Sequence, residues 1–158
     1  MKRHTIAGPV LTLCALASAA HAQEQPPIRP LGAVEATASE TFGSSLTVRH
    51  LPAGVLVNDI ANRRVVLLDE TLTLQRVVAD STEATATAYS GQMGGLIPFT
   101  GDSSLFVDPA SMSMLLLDPQ GSVARVMSVP RSQDAMMLAA PMAGAPALDG
   151  RGGLVYRG

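Results

Sequence analysis

The sequence predicts an all-β fold assembled from a repeated four-stranded unit. Three observations predict it. Apolar segments are short, rich in Val and Leu, and lack the 3.6-residue period of a helix. Turn residues separate them at close intervals. Polar anchors recur with one offset: Asp59, Asp69 and Arg76 map onto Asp108, Asp118 and Arg125 after a shift of 49 residues. The apolar runs Val65–Leu68 and Met114–Leu117 fall in the same register, so a repeat organises the chain.

The elements follow in order. Residues 1–22 read as an export signal. Lys2, Arg3 and His4 form a positive start, an apolar run extends from Thr5 to Ala20, and Ala20-His21-Ala22 offers small residues for cleavage after Ala22. The run falls short of the roughly 18–20 apolar residues of a membrane span. Cys14 follows Leu13 rather than a small residue, which argues against lipid attachment. Residues 23–32, with Pro26, Pro27 and Pro30, read as an extended linker, and ordered chain is expected from Ala33.

In the first unit, about residues 46–80, strands are expected at Leu46–Leu51, Val55–Asp59, Val65–Asp69 and Leu74–Val78, joined by Pro52-Ala53-Gly54 and Ile60–Arg63. In the second, about 94–130, they fall at Gly95–Phe99, Ser104–Asp108, Ser113–Asp118 and Ser122–Ser128, with Asp118-Pro119-Gln120-Gly121 as a turn. A third unit starts at about 147–158, since Leu154 lies 49 residues beyond Leu105. Thr82–Tyr89 joins the units, Asp134–Pro146 is a Met-, Ala- and Pro-rich loop, and Gly150–Gly153 is a turn rather than a phosphate loop. Continuous apolar runs suit strands buried on both faces.

Four short strands every 40 to 50 residues mark a β-propeller blade. The segment Leu56–Asp69, with an aspartate ending one strand, the turn Asn62-Arg63-Arg64 and an apolar strand closing on aspartate, resembles a blade of the NHL type. The resemblance covers roughly residues 34–158 and weakens in the second unit, where Ala110, Ser111 and Met112 replace the turn. It implies a six-bladed, extracytoplasmic propeller, a class that includes lactonase- and strictosidine-synthase-like hydrolases beside proteins that only bind. Residues 23–158 have room for fewer than three such units, whereas a closed ring takes four to eight. The chain therefore reads as an incomplete propeller, the N-terminal part of a longer protein. The other readings are a blade pair completed by oligomerisation and a decayed gene.

Composition narrows the chemistry. With residues 1–22 removed, no cysteine and no lysine remain, His50 is the lone histidine, and nine arginines face thirteen carboxylates. A cysteine triad, a di-histidine zinc site and a Schiff-base lysine are excluded within the chain. The acidic balance argues against a nucleic-acid partner.

Asp59, Asp69, Asp108 and Asp118 repeat, so they are read as turn caps rather than as metal ligands or acid–base groups. Arg76 and Arg125 are expected to pair with carboxylates near a strand end. Met136, Met137 and Met142 are read as packing between units, with a soft-metal site as the alternative. Residues that break the repeat are the better site candidates. Arg49 and His50, on the innermost strand, align by the offset with Pro98 and Phe99, so the repeat demands neither. One of them can face a central channel and hold an anionic ligand or polarise a carbonyl. The expectation is thus an exported binding module for a small ligand or protein, periplasmic or extracellular, with Arg49 and His50 as ligand contacts and without metal, cofactor or membrane span. The alternatives are a metal-dependent hydrolase, which needs several carboxylates or histidines on innermost strands, and a structural fragment without activity.

Overall fold

The computed structural model describes residues 28–44, 46–82, 89–140 and 144–157. The expected export signal, Cys14, the start of the linker, Met142 and most of the Thr82–Tyr89 connection lie outside the described residues. The chain divides into units 1–33 and 34–158. Residues 28–33 of the first are exposed and carry no regular element.

The second unit is all-β, with antiparallel sheets. Strands β1 (Leu46–Leu51), β2 (Gly54–Asp59), β3 (Arg64–Leu68) and β4 (Leu74–Ala79) form one four-stranded meander. Strands β5 (Gly95–Pro98), β6 (Ser104–Asp108), β7 (Ser113–Leu117) and β8 (Val123–Ser128) form a second. A hairpin of β9 (Ala147–Leu148) and β10 (Leu154–Val155) follows.

The two meanders share their register. Val55 pairs with Leu68 as Ser104 pairs with Leu117, and Leu67 pairs with Arg76 as Leu116 pairs with Arg125. Both show a β-bulge at the end of the third strand, at Leu67/Leu68 and Leu116/Leu117. Strands β3 and β7 stop one residue before their aspartates. The Asp69 carboxylate instead accepts the backbone N–H of Thr71 and Thr73, and that of Asp118 the N–H of Gln120 and Ser122. Asp149 builds the same five-residue turn between β9 and β10, accepting the N–H of Arg151 and Gly153. The fourth residue of each turn is left-handed: Leu72 at φ 63°, Gly121 at 72° and Gly152 at 81°.

Side-chain alternation explains the apolar runs. On β2 and β3, Leu56, Val65 and Leu67 point to one face while Val57, Val66 and Leu68 point to the other. The first set meets Phe106, Leu115 and Leu117 of the second sheet and Tyr89, forming one core between the sheets. Tyr89 and Phe106 stack edge to face at 4.8 Å. The outer face of the first sheet is covered by Ala38, Phe42, Leu72 and Leu74. The far face of the second sheet packs on Leu138 and on Leu154 and Tyr156. Both faces of the central strands β2, β3, β6 and β7 are therefore largely buried.

The Asp134–Pro146 segment, expected as a loop, contains a helix. A 3₁₀ turn at Ser132–Asp134 leads into α1 (Ala135–Ala139). Ala, Met and Leu are strong helix formers, but five residues are too few to display a helical period in the sequence.

Candidate ligand-binding face

Strand β1 lies beside β5, and β5 beside β9, so the first strands of successive sheets run next to one another. The first strands of the two sheets show two sides. On β1, Val48 and His50 are exposed, whereas Thr47 and Arg49 are half-buried and Leu51 is buried. On β5, Pro98 is exposed and Leu96 half-buried, whereas Gly95 and Ile97 are buried.

Strand pairing corrects the alignment read from the sequence. His50 pairs with Val55 and Pro98 with Ser104, the equivalent of Val55. His50 therefore corresponds to Pro98 and Arg49 to Ile97, a shift of 48 rather than 49. The β5–β6 connection holds one residue more between equivalent positions than the β1–β2 connection.

Arg49 and His50 point to opposite sides, as alternation demands. Arg49 is used between the sheets: its Nε donates to Ser104 Oγ at 3.3 Å, and a terminal nitrogen donates to the Ser103 carbonyl at 3.2 Å. His50 stands on the exposed side with Val48, and no hydrogen bond joins its side chain to another described residue. Beyond His50, β1, β5 and β9 carry one ionisable side chain, Arg49, and no carboxylate. Among the described residues no three His, Cys, Asp or Glu side chains converge as metal ligands.

The repeated aspartates secure the other end of the strands. Asp59 is fully buried and accepts from Gly43 N at 3.2 Å, Asn62 N at 3.3 Å, Asn62 Nδ2 at 2.7 Å and Arg64 Nε at 3.3 Å. Asp108, equally buried, accepts from Ser90 N at 2.9 Å, Ala110 N at 3.1 Å and Ser111 Oγ at 2.9 Å, and from the Ser90 hydroxyl. Gly43 and Gly91 complete this pin. A Cβ on Gly43 would stand 2.4 Å from that of Ala61, and one on Gly91 3.0 Å from that of Ala110. This repeated Gly–Ala–Asp contact is invisible at an offset of 49, because the two glycines are 48 residues apart.

Arg76 corrects a further expectation. Its guanidinium donates to the Gln120 carbonyl at 2.6 Å rather than to a carboxylate. Strand β4 faces the turn that opens β8, where Gly121 packs on Leu67 and Arg76. Arg125 has no carboxylate partner among the described residues.

Burial raises the carboxyl pKa of Asp59, but the bonds from Asn62, Gly43 and Arg64 overcome it and hold the group below its usual value of 3.8. At Asp108 burial is overcome in the same way by Ser90, Ser111 and Ala110. A folded-state pKa below the unfolded one gives stability that is present above pH 3.8 and lost as pH falls through the folded value. Tyr89 shifts the other way, pushed up to about 12 by burial and then by the Asp108 and Asp59 charges. Its contribution is present below pH 10 and lost as pH rises from 10 towards 12. Thermal unfolding is thus expected to give a plateau between pH 5 and 9 and a falling Tm below about pH 4 and above about pH 10. A flat Tm across those limits would contradict the buried placement of all three groups.

Comparison with protein-family models, curated proteins and solved structures finds no match to this chain.

Proposed function

We propose that the two register-matched sheets are consecutive blades of an exported propeller of the NHL type, and that the protein is a binding module. The exposed side of the innermost strands receives a small ligand or protein segment, with His50 as its polar contact. One observation carries this reading. Neighbouring first strands turn Arg49 into the sheet interface and leave His50, Val48 and Pro98 at the surface. An apolar strip with one group able to donate or accept suits recognition of a largely apolar ligand bearing one polar atom. The lack of carboxylates on β1, β5 and β9 favours binding over metal-dependent hydrolysis.

Small aromatic carboxylates and their esters, titrated against ¹⁵N-labelled protein, test the reading. The expected result is a set of amide shifts centred on Val48, His50 and Leu96, weakened at least tenfold in His50→Ala. Shifts elsewhere, or unchanged by that substitution, would contradict it. So would ester turnover that depends on added divalent metal. Export is tested by the N-terminus of the mature protein, expected at Gln23.

A further inference from the structure

The second sheet departs from the first where the first carries its cations. Arg63 and Arg64 occupy the β2–β3 turn and the start of β3, and Met112 and Ser113 stand at the corresponding positions. Arg63 and Met112 share a left-handed backbone, with φ of 51° and 54°, so the positions are structurally equivalent. In the first sheet Arg64 pairs with buried Asp59, and Arg63 donates to the carbonyls of Tyr89 at 3.1 Å and Ser90 at 3.4 Å. In the second, buried Asp108 is held by backbone N–H and serine hydroxyl groups alone. Among the described residues no basic side chain forms an ion pair with it. Asp108 is therefore a buried carboxylate stabilised by neutral donors, and the guanidinium near it, that of Arg63, reaches the carbonyl of Ser90 rather than the carboxylate itself.

A pocket of about 290 Å³ lies on the outer side of that carboxylate. Gly91 and Ala110 line it. A Cβ on Gly91 would stand 3.2 Å from Asp108 Oδ1, and Ala110 N donates to the same oxygen. The charge thus sits directly behind the pocket wall. Three methionines from separate segments also line the pocket: Met93 before β5, Met112 between β6 and β7, and Met136 on α1. Met112 and Met136 remain 45% and 48% exposed, so these thioethers are not spent on core packing.

Thioether sulfur is a soft, neutral donor that selects Cu(I) and its congener Ag(I) over hard cations. Three neutral donors suit a monovalent ion of low charge, and the Asp108 carboxylate lies behind the pocket wall. We propose that this pocket binds one soft monovalent cation, Cu(I) or Ag(I), through the thioethers of Met93, Met112 and Met136. The site is independent of the ligand-binding face. Of the described methionines singled out in the sequence, Met136 lines it and Met137 does not; the fold recruits Met93 and Met112 from elsewhere.

Ag(I), which needs no reductant, is the probe. The full chain with Cys14→Ser, which removes its only thiol, is titrated by calorimetry and by spectra of ¹³C-methyl methionine. The expected result is one bound Ag(I) per chain, with the methyls of Met93, Met112 and Met136 shifted. That of Met137, exposed on α1 but not lining the pocket, stays unmoved. The triple variant M93L/M112L/M136L, which conserves side-chain volume, is expected to bind at least tenfold more weakly, and M137L to bind as the parent does. Should the triple variant fail to fold, M112L in the exposed turn must weaken binding alone. Undiminished affinity in M112L, shifts spread over all methionines, or equal competition by Ca²⁺ would overturn the proposal.

Discussion

Phe106→Ala is expected to lower stability by about 4 kcal/mol, within the range of ~3–5 kcal/mol for truncating a buried aromatic side chain. Phe106 has no exposed surface and sits in the core that the two sheets share, against the Tyr89 ring at 4.8 Å. Its removal withdraws contacts from Leu56, Val65 and Leu67 of the first sheet as well as from Leu115 and Leu117 of the second. That loss is a large share of the ~5–15 kcal/mol that holds an ordinary domain together. The loss should also be shared. Hydrogen exchange on the variant is expected to show reduced protection in β2 and β3 as much as in β6 and β7, with one urea transition. Loss confined to β5–β8 would mean that the sheets are separate folding units.

Asp59→Ala is expected to cost about 3 kcal/mol, the lower end of the ~3–5 kcal/mol for breaking a buried ion pair. The lower end applies because Arg64 is partly exposed and retains Glu40 at 3.4 Å and the Thr41 carbonyl at 2.7 Å. Gly43 N–H and Asn62 also lose their acceptor. Asp108→Ala removes neutral hydrogen bonds and leaves no orphaned cation, so its expected cost is smaller, about 2 kcal/mol. The ordering of the two variants in urea denaturation checks the asymmetry. Equal costs would mean that the Arg64 contact contributes nothing.

The same asymmetry shows what could be read in the sequence. The strands of both sheets were legible because Val65–Leu68 and Met114–Leu117 are buried on both faces, which makes them continuous rather than alternating. The aspartate turns were legible because Asp69 and Asp118 keep an identical spacing to the N–H groups they accept. The first strands of the two sheets were less so. Hairpin length shifts their offset by one residue, and an alignment blind to pairing places His50 opposite Phe99 instead of Pro98. Arg49 and His50 were recognisable as a pair facing opposite ways, but not which of them the interface would take. That choice depends on Ser103 and Ser104, more than fifty residues away. The methionine pocket was hidden for a related reason. Met93, Met112 and Met136 have no common spacing, and the fold brings them to one pocket from three separate segments.

The proposed ligand-binding face rests on the first strands of successive sheets lying side by side. NOE spectra of the labelled protein measure this directly through the Asn58 side-chain amide. That amide donates to Thr47 Oγ1 of β1 at 3.1 Å and to the Gly94 carbonyl beside β5 at 2.9 Å. Cross-peaks from the Asn58 amide protons to both Thr47 and Gly94, together with peaks from Arg49 to Ser104, are the predicted result. Peaks to Thr47 alone, with none joining β1 to the β5–β6 hairpin, would contradict it.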